Sequence, residues 1–496
     1  MRSLCCIVLL ALIGGCAVTQ GAVTEAPKLV IFPAPGDEPA SPAYAAKVNG
    51  QPLFVYAAKV RHAIWQKPGL WSHHPGCAAE ETAFACFDFT GRVEVEITPA
   101  RPFKSAQLLP TSAGIATHVK DGVISFTLDG PRPLTLLLDG SDAVPLHLFC
   151  SAPETDVPDP RDPNVISFGP GSHDISTLKL KSNQTLYLAG GAILRAVLKP
   201  EDKGTYSERY QITFHPPFID VKDAQHVRIR GRGIIDASLL PHPARTSIRL
   251  DNSSDVSIDG IIIRDSANWA IMIGNSERVS VTNVKEISGR LNSDGINTVS
   301  SQHVRIADCF VRNRDDSIVV KTMSPKREAS DVLVENCTIW NDWGYALGVT
   351  YETRAPIHDV TFRNCDIIYS DRGAMGVHVC DSATVSDITF ENIRVENAQQ
   401  KLLWLAVVRD QMFGNDPTAG QIRDINFHNI VCTAAPGKPL PHSEINGLDA
   451  THRVEKVMLR DVTLNGTAAA DLAQLHLTAN SHTADITVES SSHKAP

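Results

Sequence analysis

The sequence predicts an all-β chain: a right-handed parallel β-helix preceded by a small antiparallel β-sandwich. Two observations carry this. Short apolar strands recur with a period mostly in the twenties and no helical periodicity, and before them lies a run of alternating strands set apart by Pro and Gly turns. With 43% hydrophobic and 20% charged residues in 496, a large buried core is available and global disorder is excluded. The net charge of -9 gives no basic footprint for nucleic acid.

In chain order, Met1-Arg2-Ser3, the apolar stretch Leu4 to Leu12 and Ile13-Gly14-Gly15-Cys16 read as an export signal over residues 1–21. Either Cys16 is lipidated and becomes the new N-terminus of a cell-envelope lipoprotein, or ordinary cleavage a few residues later releases a secreted protein. The apolar run is too short to span a bilayer, so membrane attachment would run only through a lipidated Cys16.

Residues 22–150 form the expected sandwich, with alternation clearest in Gly91 to Ile97 and Gly122 to Leu128. The Pro- and Asp-rich stretch from Ala152 to Pro160 marks a linker over 151–164. Residues 165–496 are the expected coil. Its strand starts lie at Val227, Val256, Val279, Val304, Val332, Val360, Ile388, Ile425 and Val457, with offsets of 29, 23, 25, 28, 28, 28, 37 and 32 residues. Such a period means strands coiled so that each turn stacks on the last and buries one continuous apolar column. Recurrent Asn283, Asn336, Asn364, Asn392 and Asn429 suit a bend in the left-handed region, bonded to stacked neighbours. The sandwich is expected to cap the N-terminal end of the coil, covering strands that would otherwise pair with other chains.

Of the 11 cysteines, Cys5 and Cys6 fall in the signal and Cys16 is accounted for above. Cys77 and Cys86 are positioned to bridge in an oxidising compartment. Cys309, Cys337 and Cys365 occupy equivalent repeat positions and read as stacked small hydrophobes, not a metal site.

Aligning turns by their apolar residues puts Trp269, Asp294, Asp316 and Tyr345 at one position of successive coils. Asp294 and Asp316 should then lie about 4.8 Å apart, one strand spacing, with Asp315 beside them. Crowded carboxylates raise at least one pKa, and a protonated acid beside an ionised base is what glycosidic cleavage uses. A calcium site, a capped turn and a solvated acidic edge are the competing readings of the same residues.

At Asn292-Ser293-Asp294-Gly295 and Asp315-Asp316 the sequence resembles the polygalacturonase superfamily, glycoside hydrolase family 28, and its family 49 clan relatives, the dextranases and isopullulanases. The resemblance covers the chain from about Asn183 to the C-terminus, and the preceding sandwich resembles the dextranase branch. It implies hydrolysis of a polysaccharide or oligosaccharide without metal or organic cofactor. It further implies Asp315 as general acid, Asp294 and Asp316 holding and deprotonating water, and inversion at the anomeric carbon; a carboxylate separation near 5 Å alone would suggest retention. Where polygalacturonases carry Gly-His-Gly, this chain has Asp342-Trp343-Gly344-Tyr345, and their uronate-gripping Arg-x-Lys corresponds to His378-Val379-Cys380. Ordinary homogalacturonan is therefore not the expected substrate; a neutral glycan fits, as does an acidic one held by Arg314, Lys321 or Arg354.

Substrate contacts are expected from Asn292, Lys321, the rings of Trp269, Trp343 and Tyr345, Glu352 and His378. For Glu352 a salt bridge to Arg354 is the alternative, and for His378 a buried, hydrogen-bonded position. The segment from Met323 to Glu328 and the insert from Arg409 to Gly420 are placed to wall off one end of the cleft. A calcium-dependent β-helix polysaccharide lyase and a non-catalytic glycan-binding protein are the alternative functions.

Overall fold

The computed structural model describes residues 28–60, 80–208, 212–242, 244–409, 414, 418–435 and 437–491. The export signal, Cys77 and much of the 409–420 insert lie outside the described residues. From Val165 onward the chain winds as a right-handed parallel β-helix whose turns each lay down up to three strands. Gln302–Ala307, Phe310–Asn313 and Ile318–Thr322 make one such turn. Val256, Val279, Val304, Val332, Val360, Ile388, Ile425 and Val457 pair in register from turn to turn. The column continues to Ile486, one turn beyond the last sequence repeat.

The interior is filled by like residues stacked at strand spacing. Phe362, Phe390 and Phe427 lie ring on ring with centroids 4.9 Å apart at both steps. Cys309, Cys337 and Cys365 are fully buried, as a small-hydrophobe role requires. The recurrent asparagines turn the corner between the first and second strands: Asn283, Asn336, Asn364, Asn392 and Asn429 have φ between 53° and 56°. Asn429 Nδ2 donates to Asn392 Oδ1 at 2.7 Å, so the ladder also supplies bonds along the coil axis.

The N-terminal head is a sandwich of a six-stranded and a five-stranded sheet around Phe87, Phe89, Phe126, Leu136 and their neighbours. Its pairings are antiparallel except that Ser141–Ser151 runs parallel to Glu80–Phe89. The head does not rest on the end of the coil. It lies along the flank, where Tyr56, Phe84, Leu137 and Phe149 pack on Ile193, Ile234, Ile262, Ile287, Phe310, Trp340 and Ile368. These coil residues are apolar and point outward, so they need a cover over seven turns, and the head supplies it. Buried charges lock the seam: Arg232 Nε meets Asp88 at 2.8 Å, and Arg312 Nη1 reaches Thr82 Oγ1 and His147 Nε2 at 3.0 Å.

Candidate active site

The third strand of each turn forms an 11-stranded parallel sheet. Ile271, Ile296, Ile318 and Leu347 pair in register across it. Trp269, Asp294, Asp316 and Tyr345 each stand two residues earlier, which is the stacking the repeats predict. The loops leading into these strands are short: residues 314–317 join Phe310–Asn313 to Ile318–Thr322, and 342–344 join Thr338–Asn341 to Tyr345–Thr353.

Buried amides fix those loops from behind. Asn313 Nδ2 donates to the carbonyls of Ser293 and Asp316, both at 2.9 Å, and Asn341 Nδ2 donates to the Asp315 carbonyl at 2.6 Å. Ser317 Oγ closes the network by donating to Asn313 Oδ1 at 2.6 Å. Tight turns expose carbonyls that water cannot reach, and side-chain donors answer them. Gly344 stands in the left-handed region at φ 94°, and a Cβ there would lie 2.6 Å from the Asp315 carbonyl carbon.

The three carboxylates converge: one oxygen of each of Asp294, Asp315 and Asp316 lies within 4.8 Å of the others. Asp294 and Asp316 are buried, each 2% exposed, while Asp315 is partly open. Asp316 accepts from Thr350 Oγ1 at 2.7 Å and from the Tyr345 N–H at 3.2 Å. Asp315 accepts from the backbone N–H groups of Asn292 at 3.1 Å and Asp316 at 3.0 Å. The packed atoms that surround most of its carboxyl, followed by the charge of Asp316, push Asp315 up to about 7, against the pull of Lys321 and those N–H groups. Burial and then the neighbouring Asp315 charge hold Asp294 well above the usual carboxylate range.

Several residues expected to meet substrate stand elsewhere. Lys321 is 3% exposed and sits among the carboxylates, with Nζ 3.2 Å from Asp316, 3.5 Å from Asp294 and 3.2 Å from Glu352. Its ammonium is engaged internally because three acids surround it. Glu352 pairs with Lys321 rather than Arg354; Arg354 turns toward the buried Asp381, 3.9 Å away, and the Met323 carbonyl. Tyr345 is fully buried, its ring lying over Gly373 and Gly376, where any Cβ would come within 2.8 Å and 2.5 Å of it. His378 is buried beside it, Nε2 2.8 Å from Tyr345 Oη, and burial followed by the charges of Arg372 and Lys401 drives its pKa down to about 3. Tyr345 and His378 therefore form the layer beneath the groove, not its open wall. Asn292 is partly exposed and held at φ 55°, with its backbone N–H on Asp315.

Trp269 and Trp343 are half-buried at the groove. The Trp269 ring lies 5.1 Å from Lys321 Nζ. Sequence reasoning missed Arg372, Trp404 and Lys401. The Arg372 guanidinium stands 5.7 Å from the rings of Trp343 and Tyr345 and 5.2 Å from Trp404, and Lys401 Nζ stands 4.7 Å from Trp404. A signal existed: Tyr345 pairs with Gly373 and Gly373 with Lys401, and Gly348 pairs with Gly376 and Gly376 with Trp404, both in the regular steps of the repeat.

Residues 218–483 match the model for glycosyl hydrolases family 28, more than half of the chain. The chain belongs to that family. Similar folds include the exopolygalacturonase of Thermotoga maritima, at TM-score 0.53 and 18% identity over 62% of this chain and 85% of that one. The family 28 exopolygalacturonase of Yersinia enterocolitica follows at TM-score 0.51 and 15% identity, over 79% of this chain and 96% of that one. Dex49A of Penicillium minioluteum aligns at TM-score 0.64 and 14% identity over 92% of this chain and 96% of its own, a span that takes in the head as well as the coil. No curated protein sequence matches. The family 28 chain is thus a glycoside hydrolase.

Proposed function

We propose that this family 28 hydrolase cleaves an acidic polysaccharide or oligosaccharide other than ordinary homogalacturonan, with inversion, using Asp315 as general acid. Asp315 gives its proton to the glycosidic oxygen as the bond to the anomeric carbon breaks. Asp294 and Asp316 hold a water, and the pair, of which only one carboxyl need be ionised, takes its proton as its oxygen bonds to that carbon; exchange with solvent restores the acid and the pair. The observation that carries this reading is the convergence of three carboxylates from adjacent turns, one partly open and proton-bearing up to about 7. Inversion is part of the proposal, as the family resemblance implies it.

Support for an acidic glycan comes from Arg372 and Lys401 among the rings of Trp343 and Trp404, where a pyranose can stack and present an anionic group. Against homogalacturonan stand the neutral His378 and the buried Cys380 where polygalacturonases carry their cations. Lys321 supplies among the carboxylates the positive charge that a lyase reading assigns to calcium, which favours hydrolysis. Export through residues 1–21, with Cys16 lipidated, belongs to the same proposal, and fractionation of producing cells with Cys16→Ser as control tests it.

The enzymatic test is a panel of plant, algal and bacterial glycans, homogalacturonan included, assayed for new reducing ends. Asp315→Asn should lower the rate by about 10²- to 10⁴-fold, and NMR of the first product should show the inverted anomer. An unsaturated, ultraviolet-absorbing product, or undiminished activity of Asp315→Asn, would overturn the proposal.

A further inference from the structure

Between Val320, paired with Val349, and Thr322, paired with Thr353, the neighbouring strand carries two more residues than its partner. Thr350, Tyr351 and Glu352 thus stand opposite the single residue Lys321. This is a β-bulge, a device that re-aims side chains and recurs beside active sites. Tyr351 takes the left-handed region at φ 57°, which is uncommon for an aromatic residue and is held only where the surroundings demand it. Its ring is anchored edge-on against His378, with centroids 5.5 Å apart.

The bulge delivers two polar groups to one place. Thr350 Oγ1 donates to Asp316 Oδ2 at 2.7 Å, and Glu352 Oε2 lies 3.2 Å from Lys321 Nζ. A regular strand would also put residues 350 and 352 on one face, but it would carry Glu352 two positions past Lys321, opposite residue 323; the two extra residues hold both Thr350 and Glu352 beside Lys321. Lys321 in turn faces Asp294, Asp316 and Glu352, with the Trp269 ring 5.1 Å from its Nζ.

We infer that Lys321, Thr350 and Glu352 form a positioning unit, assembled by this bulge, that sets how much negative charge the Asp294–Asp316 pair carries. The inference rests on the roles given to the carboxylates above. Lys321 draws charge onto the pair. Glu352 competes for the same ammonium and so weakens that draw. The two residues therefore act in opposite senses, which a merely structural role for either would not produce. Burial pulls the Lys321 pKa down, and the charges of Glu352, Asp316, Asp294 and Asp315 more than offset it, holding the ammonium well above its ordinary value.

The test needs no substrate. Full-length protein labelled with ¹³Cγ-aspartate is titrated by NMR, with the cluster resonances assigned through Asp294→Asn, Asp315→Asn and Asp316→Asn. Lys321→Met should move the cluster's titration midpoints upward by about one pH unit, and Glu352→Gln should move them downward. If Lys321→Met does not fold, Glu352→Gln decides alone, because Glu352 lies nearer the surface. Midpoints that stay put in Glu352→Gln, or that move the same way in both variants, overturn the inference. A wild-type enzyme inactive on every glycan would instead count against the hydrolase reading and leave this titration unaffected.

Discussion

Asp315 and Asp316 are sequence neighbours with different surroundings, and that difference divides their chemistry. Asp316 points into a nest of donors, the Thr350 hydroxyl, the Tyr345 N–H and the Lys321 ammonium. Asp315 accepts from two backbone N–H groups, but burial, followed by the charge of Asp316, outweighs them and pushes its carboxyl up to about 7. A general acid must hold its proton to work, so kcat/KM should fall as pH rises through about 7 and the Asp315 proton is lost. A rate that keeps rising well above that pH on the best substrate of the panel would remove Asp315 from the acid's role. The three aspartates were legible in the sequence because a repeat fixes register and register fixes neighbours. The setting of Lys321 was not, because a lysine five residues after an aspartate reads equally as a groove cation or an internal counter-ion; only its three partners decide it.

At the scale of the strand and loop, the site depends on places where the repeat is broken or pinched. The loop of residues 342–344 is one: Gly344 holds a left-handed φ and lies against the Asp315 backbone. Gly344→Ala should strain that turn by about 1–3 kcal/mol and push Asp315 out of line, lowering kcat by about 10²-fold; unchanged kcat would show that the contact relaxes without moving the acid. The sequence shows Trp343-Gly344-Tyr345 only as a departure from a family motif. The bulge at Thr350–Glu352 was equally hidden, since Val349-Thr350-Tyr351-Glu352 reads as plain strand and an inserted pair alters no apolar spacing until the next turn is aligned. Arg372, Trp404 and Lys401 went unseen for the opposite reason: no motif marks them, and stepping along the repeat from Tyr345 and Gly348 is what finds Lys401 and Trp404 and lands on Gly373, the residue after Arg372.

At the scale of the whole molecule, the sandwich and the coil were each readable from their periodicities, but the way they meet was not. Strand alternation says which residues point outward and nothing about what covers them; the outward column from Ile193 to Ile368 names its partner only once the head's Tyr56, Phe84 and Phe149 are seen against it. Burying such side chains is worth about 1.5–3 kcal/mol each. The contact also reaches toward the chemistry. Arg312, bonded to the head's Thr82 and His147, meets Asp342 at 3.2 Å, the residue that opens the loop of Trp343 and Gly344. Among the described residues the furthest hydrogen bond from the head runs from the Thr111 N–H to Glu396. Up to that turn the head acts as a splint, spanning many windings at once, so none of them can part without tearing a seam across its neighbours. Past it, the described residues of the last windings hold to one another along the axis and not to the described head, and heat or a pull on the chain should unwind the spiral from its C-terminal tip, sparing the carboxylates until late.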